Sequence, residues 1–351
     1  METKYFFKTD RLNDVVIIRS IAIFMVVGFH AYYMMMVPGH FPKSAHTYHD
    51  IYFNLNAMIL QFRMPLFIMI SGYLFSHLEN DRGKYATFKE LITNKFKRLI
   101  IPFFIFATLF MLSVNNFSWE PYYRWGYDHL WFLPMLFWCF IFTRLQSFLP
   151  FSKHNWWKIT LLVIFFYLNL IPQIKTPLFG LPNLLRWYFW FYFGYQLYLN
   201  RDNVYGLINK RKWLYSILFF SIFVAGTWAK CIYLSTNSIH TWYSELANIS
   251  IAILIWFWIN NLLFNNIIKK DGHLLYNFNW LNKHSYGVYV LHNWLQPFMI
   301  SSTTISMFDL DIFAINYPII FPFIFFLSSF FLALCLTWLL LKTKTGKFLI
   351  G

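Results

Sequence analysis

The 351 residues are 58% hydrophobic, with a mean hydropathy of +0.47, and only 12% are charged, about half the charged fraction of an ordinary soluble domain. No soluble core hides that much apolar surface, so a water-soluble globular protein is excluded. The formal charge of +15 raises nucleic-acid binding. However, the lysines and arginines lie in short clusters between apolar runs, and no zinc-finger, basic-zipper or RNA-binding motif is present. Nucleic acid is therefore not expected as a partner, whereas membrane lipid is.

A spanning helix needs roughly 20 mostly apolar residues to cross about 30 Å of hydrocarbon, because lipid offers no hydrogen-bond partner to an exposed backbone. In chain order, apolar runs bounded by charged or Pro/Asn-rich breaks predict spans at 15–37, 52–76, 99–114, 130–148, 157–171, 184–199, 213–234, 246–263, 285–300 and 318–341. The fold class expected is all-α: an integral membrane bundle of about ten transmembrane helices. The first run is too long for a signal-peptide core and has no small-residue cleavage site, so it is expected to remain as a helix. No internal repeat is evident, and residues 1–351 are expected to form a single transmembrane domain with no appended soluble domain.

Basic residues give the orientation. With the N-terminus inside, 22 of the 29 lysines and arginines fall in cytoplasmic segments, four (Lys43, Arg124, Lys175, Lys230) fall in outer loops, and Arg19, Arg63 and Arg186 lie within spans. This asymmetry predicts that both termini are cytoplasmic. Cys139, Cys231 and Cys335 lie far apart in apolar stretches, suggesting neither a disulfide framework nor a zinc knuckle. No metal is expected.

Ionisable groups at bilayer depth cost roughly 2.5 to 3.5 kcal/mol each on insertion scales, so each calls for a reason. In the first span Arg19 and His30 are eleven residues apart, about three turns plus 20°, which puts both on one face about 16 Å apart. Arg63 follows in the second span, within FRMPLF, and Lys95, Lys97 and Arg98 cluster at the entrance to the third. His129 stands at the outer entrance to the fourth. In the ninth span, Ser285, Tyr289 and His292 share one stripe, with His292 near the depth of His30. A neutral imidazole can take a proton from a hydroxyl and return it to a leaving group, as acyl transfer to an alcohol requires. Arg63, Ser285 or Tyr289 could stabilise an oxyanion, and the basic cluster suits the phosphates of a cytoplasmic cofactor as well as it suits a topology signal. The same buried charges would also serve a transporter or flippase of a modified glycan or lipid-linked sugar.

Five stretches, RSIAIFMVVGFH, FRMPLFIMISGYLF, KRLIIPFF, HLWFLP and SYGVYVLH, resemble, in order across nearly the whole chain, the bacterial acyltransferase-3 family of multi-pass membrane O-acyltransferases. The resemblance implies a bundle of about ten helices in the bacterial cytoplasmic membrane. It also implies an acetyl-CoA donor on the cytoplasmic side and a hydroxyl acceptor on a cell-envelope polysaccharide, glycan precursor or lipid-linked saccharide. It implies essential roles for Arg19 and His30, with His30 as base or acyl carrier, and a donor site including Lys95 and Arg98. Arg63, His129, Ser285, Tyr289 and His292 are expected on the acceptor side. The chain departs from the family pattern at Val16, where an acidic residue is frequent, at Arg63, where many relatives carry His, and at Lys95, where several carry Arg. Oligomeric state is not legible.

Overall fold

A computed structural model describes residues 7, 12–36, 49–124, 126–171, 179–233, 241–269, 272–301, 316, 317 and 319–351. Among these, all regular structure is helical: α1 (Asn13–Met36), α2 (His49–Asn80), α3 (Phe88–Lys95), a π-helical turn (Phe96–Ile100), α4 (Ile101–Ser113), α5 (Glu120–Tyr123), a 3-10 turn (Asp128–Trp131), α6 (Phe132–Ser147), α7 (Asn155–Leu170), α8 (Leu181–Leu199), α9 (Arg201–Lys210), α10 (Lys212–Tyr233), α11 (Trp242–Phe264), α12 (His273–Ser301), α13 (Phe321–Leu340) and α14 (Lys344–Ile350).

Each predicted span overlaps a helix among the described residues. Among the described residues, six stretches are long and apolar enough to cross a bilayer: Asn13–Tyr33, Phe88–Ser113, Glu120–Ser147, Lys212–Lys230, Trp242–Phe264 and Phe321–Leu340. α2, α8 and α12 mix Asn and Tyr, with Arg in α2 and α8 and His in α2 and α12, into their apolar runs, and α7 is 16 residues long. The third span begins earlier than its apolar run suggests, because α3, the π turn and α4 form one continuous helical stretch whose first turns are polar. Thr87 caps it, its Oγ1 accepting from the Glu90 N–H at 3.1 Å, which satisfies one of the amides that a helix start leaves without an intrahelical acceptor.

The chain divides into two compact units, one of Met1–Ile18 with Pro65–Tyr276 and one of Arg19–Met64 with Asn277–Gly351. The second boundary falls at Pro65 inside α2, where a proline withdraws one N–H from the helical ladder.

In the first unit α8 packs on α6 and α7, and α10 packs on α11. Its core is aromatic: Trp190, Trp256, Tyr73, Tyr188, Tyr192, Phe103 and Phe191 are fully buried. α2 and α8 meet backbone to backbone. A Cβ on Gly72 would collide with the Phe191 carbonyl, and one on Gly194 with the Met69 carbonyl. Such small-residue contacts suit a membrane, where apolar surface gains nothing by leaving lipid and close packing has to supply the attraction.

In the second unit Phe24 of α1 packs edge-on against Phe326 and Phe330 of α13, at 4.5 and 5.3 Å between ring centroids. Gly287 of α12 lies against Thr337 and Ile350. Ser20 donates to the Phe278 carbonyl at 3.4 Å, joining α1 to α12. Large apolar side chains remain uncovered in both units, among them Ile217 and Phe220 on α10 and Phe323 and Phe331 on α13, as expected of faces that lipid covers.

Candidate active site

The second unit holds His30 against His292, with Tyr289 beside His292 and Arg63 stacked on Phe29. His30, half-buried on α1, has its Nδ1 2.9 Å from the Val26 carbonyl and 3.2 Å from Nε2 of His292 on α12. His292 is fully buried, and its Nδ1 lies 2.7 Å from the Tyr289 carbonyl and 3.1 Å from that of Val288. Arg63 is 6% exposed. Its guanidinium carbon sits 3.5 Å from the centre of the Phe29 ring, the residue beside His30, and its Nε and Nη1 have no hydrogen-bond partner. A cation over an aromatic face is attracted by the ring quadrupole, but this leaves the N–H groups to be satisfied by whatever enters. Tyr289, 2% exposed, lies on α12 with its ring centroid 6.1 Å from that of His292.

Two other residues of this unit are placed differently. Ser285 is buried, but its hydroxyl donates to the Asn282 carbonyl of its own helix at 2.8 Å. Arg19 is half-buried on the unbroken α1, so the eleven-residue spacing places it on the His30 face about 16 Å away along the axis.

The first unit holds the basic cluster and His129. Lys95 ends α3 with its ammonium 3.5 Å from the centre of the Phe140 ring, 4.9 Å from that of Tyr85 and 5.7 Å from that of Phe75. Lys97 and Arg98 are exposed on the π turn, a geometry that recurs at functional sites because its extra residue re-aims side chains. His129 is 4% exposed; its ring lies nearly parallel to Phe110, with centroids 6.0 Å apart, and its Nδ1 is 3.2 Å from the Asp128 carboxylate.

The model of the acyltransferase-3 family, described as an acyltransferase domain, matches residues 13–342. The chain belongs to this family. Neither a curated protein nor a solved structure matches it. With its apolar helices the chain is a multi-pass membrane acyltransferase, and the histidines of its second unit provide groups suited to proton transfer.

Several residues of this acyltransferase-3 domain escaped sequence reasoning. Phe29 lies in an apolar run and carried no signal until Arg63 was found stacked on it. Asp14 was legible as the carboxylate nearest Val16, to which the family's acidic role was not carried over, but its setting was not legible: it is buried in the first unit, accepting from its neighbour's amide (Val15 N–H, 2.9 Å) and from Asn260 Nδ2 at 3.3 Å, 246 residues away. Glu79 accepts from Arg144 at 2.7 Å and from the Tyr195 hydroxyl at 2.9 Å, tying α2, α6 and α8 together.

Proposed function

We propose that this acyltransferase is an O-acetyltransferase of the bacterial cytoplasmic membrane, moving an acetyl group from cytoplasmic acetyl-CoA to a hydroxyl of a cell-envelope polysaccharide or glycan precursor. The observation that carries the reading is His30. It is an imidazole inside an apolar helix, on the same face as Arg19, hydrogen-bonded to a second buried histidine, in a chain of an acyltransferase family.

In this mechanism the CoA phosphates bind Lys97 and Arg98, whose side chains are exposed. Lys95 is the less available of the three, because rings already surround its ammonium. Arg19 assists the pantetheine or thioester end. The acceptor hydroxyl approaches His30, which takes its proton as the oxygen attacks the thioester carbonyl. The C–O bond forms, the C–S bond breaks, and the proton passes to the CoA sulfur. Arg63 offers N–H groups to the oxyanion of the tetrahedral intermediate or to the acceptor. In a covalent variant His30 itself carries the acetyl group between donor and acceptor. His129, Tyr289 and Ser285 belong to the acceptor side, with Ser285 the weakest candidate because its proton is already committed to Asn282.

Purified protein with labelled acetyl-CoA and isolated cell envelopes tests this directly. Covalent label on a glycan with stoichiometric free CoA is the expected result; movement of glycan across the membrane with no CoA released would favour a flippase.

A further inference from the structure

We infer that His292 is the positioning residue of His30: its Nε2 accepts a hydrogen bond from His30 Nδ1–H and, together with the Val26 carbonyl, holds the ring so that the other nitrogen of His30 meets the substrate. This rests on the reading above that His30 does the chemistry.

The assignment follows from what each partner can do. A backbone carbonyl only accepts, so a ring nitrogen bonded to one must carry hydrogen. His292 Nδ1 lies 2.7 Å from the Tyr289 carbonyl and is therefore Nδ1–H, which leaves Nε2 of the neutral ring as an acceptor. His30 Nδ1 lies 2.9 Å from the Val26 carbonyl and 3.2 Å from that Nε2, so it too is an N–H, shared between two acceptors. His30 Nε2 is then the nitrogen with the lone pair. The three hydrogen bonds agree on one tautomer for each ring, whereas the opposite tautomer of either would set a lone pair against a carbonyl.

The chemistry gains in two ways. The basic nitrogen is set before substrate arrives, and when Nε2 takes the hydroxyl proton the resulting imidazolium already has an acceptor at Nδ1, a bond that strengthens when its donor becomes charged. Carboxylates do this beside histidine in soluble hydrolases. Here the partner is fully buried on a helix, where a permanent carboxylate charge would be costly, and a neutral imidazole supplies the acceptor without that charge.

Matched substitutions test it. Gln places an amide oxygen near the position of Nε2, and Met has similar volume but no comparable acceptor. With acetyl-CoA as donor and isolated envelopes as acceptor, His292→Met is expected to lower kcat by about 100-fold, the usual scale for disabling a general base, with KM for acetyl-CoA unchanged. His292→Gln should recover at least about tenfold of that loss. In protein labelled with 15N-histidine, the His30 signals should report hydrogen on Nδ1 in the wild type and, held by the Val26 carbonyl, in His292→Met as well, while the Nδ1 proton resonance moves when its second acceptor is lost. Equal kcat for the Gln and Met variants, or hydrogen on Nε2 of wild-type His30, would overturn the inference. Full transfer by His30→Ala would overturn the underlying reading as well, so the two failures are told apart.

Discussion

His30 and Arg63 are both costly to keep within a membrane helix, and they differ in how that cost is met. His30 Nδ1 lies within hydrogen-bond distance of both the Val26 carbonyl and His292 Nε2, so it has partners before any substrate binds. Arg63 rests on Phe29 with two guanidinium nitrogens, Nε and Nη1, unbonded, a cost of about 1 to 3 kcal/mol for each such group. Replacing an uncompensated buried charge with an apolar side chain of similar length tends to be neutral or stabilising. Arg63→Met is therefore expected to hold or raise the thermal midpoint in detergent while lowering acetyl transfer by about 100-fold, the scale for losing an oxyanion donor. A parallel fall in midpoint and activity would make Arg63 a packing residue. His30→Ala should insert normally and still bind acetyl-CoA, with transfer lowered by about 100-fold or more; near-normal transfer by the folded variant would exclude His30 from the chemistry.

Among the helices, the π turn and the α2/α8 contact carry the clearest expectations. Arg98 is exposed on the π turn and its loss opens no core cavity, so Arg98→Ala should weaken acetyl-CoA binding, measured by calorimetry in detergent, without lowering the thermal midpoint. Unchanged affinity would reduce the basic cluster to a topology signal. The helix contact is stricter. Gly72→Ala and Gly194→Ala each drive a methyl group into a backbone carbonyl, which cannot rotate away as a side chain can, and overpacking of this kind costs about 1 to 3 kcal/mol or more. Gly28→Ala meets only the Phe326 ring at 3.5 Å, an ordinary contact, and should be tolerated; scanning fluorimetry of the three variants checks the order. Beyond the end of α2, burial disfavours the Asp81 carboxylate, but a hydrogen bond from Tyr198 and the Arg201 guanidinium outweigh it and hold its pKa below the ordinary 3.8. A depressed acid stabilises the fold above its unfolded value and loses that contribution as pH falls through the folded one. Acid destabilisation below about pH 4 should therefore flatten in Asp81→Asn.

For the whole molecule, the 22-to-4 distribution of basic residues predicts that a cysteine introduced at Lys84 is labelled from the cytoplasmic side and one at Asn116 from outside. The reverse pattern would overturn the orientation and with it the side from which the donor enters. Mass spectrometry of envelope glycans from cells with and without the gene should show an acetyl-sized difference. No difference in any glycan would remove the proposed acceptor.

Composition, apolar runs and five motifs in order were enough to determine a helical membrane acyltransferase, because the bilayer demands long apolar helices and these are legible as local sequence. Arg19, His30 and Arg63 stood out for the same reason, each being expensive where it lies. The sequence could not tell which polar residues face one another. Depth alone brought His292 level with His30, but only the packing of α12 against α1 set Nε2 of one ring 3.2 Å from Nδ1 of the other. Likewise the sequence marked Lys95 only by its departure from the family's Arg, until the fold placed Phe140, Tyr85 and Phe75 around it. Phe29 became visible only beneath Arg63. A cost of burial is written along one helix, whereas its compensation comes from residues tens or hundreds of positions away, and tertiary structure alone brings those into contact.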